Sequence, residues 1–172
     1  MPSNATPPLL RSAPQADQNP ASESLQEFLR RLRKRRQERD VVLRESVQIH
    51  VGELEALGSS ANRRENQRLR GALLSLGPEA APLFLPYADP GSPPTTATLY
   101  RASVITDVLT NTATRAITEP LIHMASSSSK LGRMNAIRVL GYSPDQDRAA
   151  AALGGIFQLA TGKLRSAALD AL

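Results

Sequence analysis

LGRMNAIRVLG, residues 131–141, is the stretch that decides the fold, because its spacing returns along the chain in steps of thirty-two residues. One basic and three apolar residues define this register, here Arg133, Ala136, Ile137 and Leu140. The other copies are Arg101, Val104, Ile105 and Val108; Arg165, Ala168, Leu169 and Leu172; and Leu69, Ala72, Leu73 and Leu76. Since positions i, i+3, i+4 and i+7 share one face of a helix, the register predicts four equivalent amphipathic helices.

The composition favours a core of helices packed closely together. Hydrophobic residues make up 41% of the 172-residue chain, but only 3% are aromatic and there is no tryptophan. Small and medium aliphatic side chains suit the short distances between packed helices. The absence of cysteine excludes disulfides and thiolate chemistry.

The net charge of +5 is concentrated at the N-terminal end of the chain. Residues 1–70 hold 13 Lys and Arg against 9 Asp and Glu, whereas residues 71–172 hold 8 against 7. A basic excess of this kind is typical of proteins that bind nucleic acid or anionic surfaces. The repeated part of the chain is close to neutral.

The N-terminal third divides into a tail and a helix. Residues 1–21 contain five prolines among small polar residues, so we predict a disordered tail. Residues 22–60 predict one long charged helix that ends at Gly58-Ser59-Ser60. No apolar run is long enough for a membrane span, and the first ten residues lack the features of a signal peptide. We therefore expect a cytoplasmic protein.

Residues 61–172 predict helices that alternate with short turns. The predicted ranges are 61–76, 79–87, 98–109, 115–125, 130–140, 145–160 and 163–172. A helix pair of about 32 residues cannot bury its apolar face alone, so neighbouring pairs must stack to form a continuous core. We expect Leu73, Ile105, Ile137 and Leu169 to fill the space between the layers.

Two segments of this region resemble HEAT repeats, which belong to the armadillo-like α-solenoids. They are LSLGPEAAPLFLPYADPG, residues 74–91, and SSSSKLGRMNAIRVLGYSPDQDRAAAALGGI, residues 126–156. The resemblance covers about residues 66–172; Leu69 in place of a basic residue and the long loop at 89–97 depart from the family pattern. It implies an all-α solenoid of stacked antiparallel helix pairs that serves as a non-enzymatic scaffold for binding another protein.

The last copy of the register ends at an apolar residue. Leu172 takes the last core position of its copy, and no later residue covers it. Terminal repeats ordinarily have a polar outer face. We therefore expect that the repeat region is truncated at its C-terminal end, with further repeats or a partner covering Leu172.

Three arginines recur at one position of the register and are candidate partner-binding residues. Arg101, Arg133 and Arg165 would form a basic ladder along one side of the stack. The alternative is that each arginine pairs with an acidic residue in a neighbouring turn. The sequence leaves both interpretations open.

A basic cluster in the N-terminal helix is the second candidate site. Its members are Arg30, Arg31, Arg33, Lys34, Arg35, Arg36 and Arg39. One face of such a helix could contact nucleic-acid phosphates, which makes a nucleic-acid-binding α-solenoid the alternative function. A solvated helix, an acidic partner, anionic lipid and a nuclear-import patch are further interpretations.

No catalytic, cofactor-binding or metal-binding residues are predicted. His50 and His123 are single histidines on helices, without a second histidine at metal-binding spacing. Asp145 and Asp147 flank a helix start, where carboxylates favour the helix dipole. The glycine before Lys163 lacks the earlier glycine that a phosphate-binding loop requires. The sequence therefore predicts a protein that is not an enzyme.

Overall fold

The computed structural model describes residues 20–60 and 62–172, and all regular structure within them is helical. This result confirms the predicted all-α class. The α-helices are α1 Pro20–Leu57, α2 Arg63–Ser75, α3 Ala81–Phe84, α4 Thr96–Thr112, α5 Thr118–Ser127, α6 Lys130–Leu140, α7 Gln146–Leu159 and α8 Lys163–Ala171. Short 3-10 turns occupy Gly58–Ser60, Pro78–Ala80, Leu85–Ala88 and Arg115–Ile117.

The chain forms two compact units, divided between Arg39 and Asp40. The predicted tail lies outside the described residues except for Pro20 and Ala21, which are helical. The first unit therefore contributes residues 20–39 of α1 to the described structure. The second unit holds the hydrophobic core, which includes Val47, Val51 and Leu54 of α1.

Local sequence explains where the helices begin and end. Asn62 and Glu65 form a capping box at α2, in which each side chain accepts a 3.0 Å hydrogen bond from the other's backbone N–H. Thr95 accepts a 3.1 Å bond from the Thr98 N–H at the start of α4. Gly77, with φ of 75°, separates α2 from the next helical turn, and only glycine adopts this conformation readily.

The helices that carry the register, α2, α4, α6 and α8, are called second helices here, and α3, α5 and α7 are called first helices. The second helices contact one another in chain order, α2 with α4, α4 with α6 and α6 with α8. The first helices α5 and α7 also contact each other. Pairs form between α5 and α6 and between α7 and α8.

The register positions supply much of this core. Those that are buried are Leu69, Leu73, Ile105, Val108, Ala136, Ile137, Leu140 and Ala168. The prediction for Leu169 was wrong, because its side chain is 58% exposed. Helix α6 packs between α4 and α8, whereas α8 has no second helix after it among the described residues, so Leu169 is left uncovered. Leu172 is likewise 61% exposed.

A carboxylate joins the loop before α4 to the start of α6. Asp89 accepts hydrogen bonds from the Ser129 N–H at 3.1 Å, the Ser129 hydroxyl at 2.5 Å and the Gly91 N–H at 2.9 Å. Ser129 in turn caps α6 by accepting a 3.1 Å bond from the Gly132 N–H. Burial alone would raise the pKa of Asp89, but bonds from Ser129, Gly91 and Ser128 outweigh it and the pKa is lowered.

Gly132 is required by this junction. A Cβ atom at position 132 would lie 2.5 Å from Cγ of Asp89 and within 2.8 Å of both its carboxylate oxygens. The Asp89 side chain is short and its oxygens are hydrogen-bonded, so it cannot move away without losing contacts to Ser129. The glycine inside LGRMNAIRVLG therefore allows α6 to begin against the Asp89 carboxylate.

We predict that Gly132→Ala destabilises the protein by about 1–3 kcal/mol, because displacing Asp89 leaves partly buried polar groups unpaired. Gly154→Ala is the matched control, since a Cβ there meets nothing within 4 Å. That change should stabilise by about 0.5–1 kcal/mol through helix propensity. Urea unfolding of both variants measures the difference, and equal stability of the two would contradict this account.

We predict that Asp89→Asn removes part of the acid sensitivity of folding. A lowered native pKa means that the carboxylate's contribution is fully present above the ordinary value of 3.8 and is lost as the pH falls through the native value. The variant should be less stable than the parent at pH 7, and the two should converge at acidic pH. Urea midpoints between pH 7 and about pH 2 test this; an offset that stays constant as the pH falls well below 3.8 would argue against it.

Candidate functional site

Arg101 is held almost entirely by groups within the chain. Its side chain is 12% exposed. Nε donates to the Tyr87 carbonyl at 3.2 Å, Nη2 donates to the Asp89 carbonyl at 2.8 Å, and Nη1 pairs with the Glu55 carboxylate. The guanidinium carbon lies 5.7 Å from the centroid of the Tyr87 ring. Arg101 thus satisfies carbonyls at the end of the preceding helical segment.

The other two register arginines also contact the helix that precedes them in the chain. Nε of Arg133 donates to the Ala125 carbonyl, near the end of α5, at 3.0 Å. The guanidinium carbon of Arg165 lies 4.6 Å from the centroid of the Phe157 ring in α7. Arg133 and Arg165 therefore contact the last turns of α5 and α7, and Arg101 contacts the helical turn that follows α3. The carbonyls and the helix dipole at such ends favour a cation. Within this set, Arg101 pairs with an acidic residue, Glu55. A partner-binding role for the three arginines stays a prediction.

A different set of charged residues connects the second helices. The Asp107 carboxylate of α4 forms ion pairs with Arg138 of α6 and Arg70 of α2. The distances from guanidinium nitrogen to carboxylate oxygen are 3.1 Å and 3.8 Å. The side chains of Arg138 and Arg70 are 60% and 46% exposed, and that of Asp107 is 31% exposed. Ion pairs at such exposure contribute about 0–1 kcal/mol. They are consequently available to an external partner at little cost in stability.

Sequence reasoning missed these three residues. Arg70 follows the core residue Leu69, Arg138 follows Ile137, and Asp107 stands two positions after Ile105. The available signal was a charged residue next to a buried register position, as Arg70 is to Leu69, Asp107 to Val108 and Arg138 to Ile137. It could not be used without knowing which side of each second helix meets the neighbouring helix.

Two concavities lie between successive second helices. One, of about 520 Å³, lies between α2 and α4 and is lined by Arg63, Asn66, Gln67, Arg70, Val104 and Asp107. The other, of about 700 Å³, lies between α6 and α8. Its lining includes Met134, Arg138, Tyr142, Asp170 and Leu172. Methionine, arginine and tyrosine are among the residue types enriched in protein–protein interfaces.

A third concavity, of about 350 Å³, lies between the first helices α5 and α7. Ile122, Ala152 and Ile156 give it apolar walls, and Arg133 is the charged residue in its lining. Leu159 at its edge is 89% exposed. This groove is smaller than the concavity between α6 and α8.

The basic cluster of α1 is exposed at every position. Arg31 forms an ion pair with Glu27, one turn earlier. The neighbouring apolar residues Leu25, Phe28 and Leu29 are 57%, 56% and 41% exposed. The predicted contact of this cluster with anions or nucleic acid stays a prediction.

The histidines take part in local contacts. Nδ1 of His50 lies 3.5 Å from a carboxylate oxygen of Glu53, and Nδ1 of His123 lies 3.2 Å from the Ser127 hydroxyl. Over residues 20–60 and 62–172, no group of three or more potential metal ligands comes together. In the same ranges no helix is long and apolar enough to cross a membrane.

Comparison of the chain with protein-family models, curated proteins and solved structures finds no match. The resemblance to HEAT repeats therefore depends on the residues of this chain alone.

We predict that Arg101→Met destabilises the protein by about 1.5–3 kcal/mol, because hydrogen bonds from a charged donor are lost at a largely buried site. Methionine keeps most of the apolar stem, so the loss reports on the guanidinium.

Arg165→Met is the matched control, since Arg165 is exposed and stacks on one ring. It should change the free energy of unfolding by no more than about 1 kcal/mol. Chemical unfolding of both variants provides the measurement. If both variants lost the same free energy of unfolding, the hydrogen bonds of Arg101 would contribute no more to stability than the ring contact of Arg165.

Proposed function

We propose that residues 61–172 form a HEAT-like α-solenoid that serves as a non-enzymatic scaffold for another protein. The succession of contacts from α2 to α4, α6 and α8, with α5 against α7, supports this proposal. Stacked helix pairs give such nearest-neighbour contacts and present extended surfaces for binding. The thirty-two-residue register provides independent support from the sequence.

The partner binds, in this proposal, to the surface that the second helices share. The observation that carries it is the concavity of about 700 Å³ beside α6, where Arg138 and Tyr142 stand together. Tyr142 is 61% exposed although its ring is large and apolar. Arginine and tyrosine that become desolvated at the centre of an interface commonly dominate its binding energy.

The charges of this surface specify the partner's chemistry. Arg138 and Arg70 share one carboxylate, Asp107, so the group carries a net positive charge. An acidic side chain of the partner can pair with Arg138 while an apolar side chain enters the concavity beside Met134 and Tyr142. The expected partner surface is therefore apolar with acidic residues at its edge.

We predict that Arg138→Glu lowers the affinity for the physiological protein partner by about tenfold or more. The substitution reverses the charge at the proposed contact and places a second carboxylate beside Asp107. Partners cross-linked to the full chain are first identified by mass spectrometry. The affinity of one purified partner is then measured by calorimetry for each variant.

Arg148→Glu on α7 provides a matched control. Arg148 is 61% exposed and forms a 3.1 Å ion pair with Glu119 of α5, so the same charge reversal meets a similar local setting on a first helix. This variant should bind as the parent does. The proposed surface is wrong if both variants bind normally, or if both lose affinity equally while circular dichroism shows them folded.

A further inference from the structure

Helix α1 carries an exposed apolar stripe within its first unit. Leu25, Phe28, Leu29 and Leu32 are between 41% and 57% exposed. Their spacing of i, i+3, i+4 and i+7 places them on one face of the helix, within an arc of about 100°. Four large apolar side chains in one stripe are more than the isolated exposed leucine that most protein surfaces tolerate.

The cations of the basic cluster are arranged around this stripe. At about 3.6 residues per turn, Arg33 and Arg35 lie on its two flanks, and Arg36 and Arg39 continue its line in the following turns. Arg30 and Lys34 lie on the opposite side of the helix. Within residues 24–39, the acidic residues Glu27 and Glu38 lie away from the stripe, so the surroundings of the stripe in this range are strongly positive.

We propose that residues 24–39 of α1 bind the surface of an anionic lipid bilayer as an interfacial helix. The apolar side chains enter the boundary between headgroups and acyl chains, and the flanking guanidinium groups contact lipid phosphates. This proposal concerns a surface separate from the second helices and does not depend on the scaffold function.

The sequence of the stripe argues against a second copy of this helix as the partner. A coiled-coil seam would continue with apolar residues near positions 35, 36 and 39. Arginine stands at all three positions. Parallel pairing of two such helices would bring like charges together, which is unfavourable.

The apolar residues also argue against nucleic acid. Phosphodiester contacts account for the arginines but give no role to three exposed leucines. Proteins that bind single strands present several aromatic platforms for stacking bases, and this segment has one phenylalanine. An anionic bilayer accounts for both the cations and the apolar stripe.

The test is sedimentation of the full chain with vesicles of phosphatidylcholine, with or without phosphatidylglycerol. The parent should bind the anionic vesicles about tenfold or more strongly than the neutral ones. Leu25→Ser with Phe28→Ser should lower binding to anionic vesicles about tenfold or more, because less apolar surface is buried. These residues are exposed, so circular dichroism should show an unchanged fold.

Two matched charge variants test which side of α1 contacts the bilayer. Arg33→Gln with Arg36→Gln removes two cations beside the stripe and should lower vesicle binding about tenfold or more. Arg30→Gln with Lys34→Gln removes the same charge from the opposite side and should lower it less than about threefold. Equal losses in the two variants would overturn the orientation of the helix, and with it the proposal.

Two further outcomes would overturn the proposal by identifying another partner. Failure to bind anionic vesicles, combined with salt-dependent binding to a random DNA duplex that survives Leu25→Ser with Phe28→Ser, indicates nucleic acid. Failure to bind vesicles, combined with a dimer that the same serine variant converts to a monomer, indicates self-association. Neither result bears on the Arg138→Glu experiment, so the two proposals can fail separately.

Discussion

The fold depends on the burial of one apolar face of each second helix against the second helix beside it. Ile105 and Ile137 are fully buried because α4 and α6 each have a second helix on either side. Each such side chain contributes about 1.5–3 kcal/mol when it is removed from water. Propensity within helices of nine to seventeen residues could not replace this contribution, since isolated helices of such length are marginal in water.

This constraint separates what the sequence could predict from what it could not. The spacing of thirty-two residues identifies the helices and the buried positions Leu73, Ile105 and Ile137, because a periodic pattern encodes which face of a helix is apolar. The fate of Leu169 depends instead on whether another helix lies against α8, and the identity of residue 169 carries no such information. The contact between Asp89 and Ser129 joins residues forty positions apart, and only Gly132 within a good helix pattern indicates a close approach there.

For the charged residues of the candidate site, too, the sequence predicts only part of what the structure shows. A repeated arginine predicts a repeated role, but the sequence does not reveal whether that role is directed inward or outward. Arg101 is directed inward, and its hydrogen bonds at 12% exposure belong to the class that contributes appreciably to stability. Arg138 is exposed and its ion pair with Asp107 contributes little. Arg138 is therefore a better candidate for recognition than Arg101, because its guanidinium is exposed and contributes little to the stability of the fold. Arg138 does not belong to the register.

The two parts of the chain differ in how their cations are matched. In residues 62–172, Arg70, Arg133 and Arg138 are matched by carboxylates or carbonyls, and the charge of that part of the chain is close to neutral. In residues 24–39 the cations surround exposed leucines, and no stability argument requires that combination in a helix exposed at all of these positions. A segment that combines both features loses little by binding an anionic surface, because its apolar side chains are already in water. Under the two proposals together, membrane binding by α1 would raise the local concentration of the proposed partner surface at the membrane without any new contact to the partner.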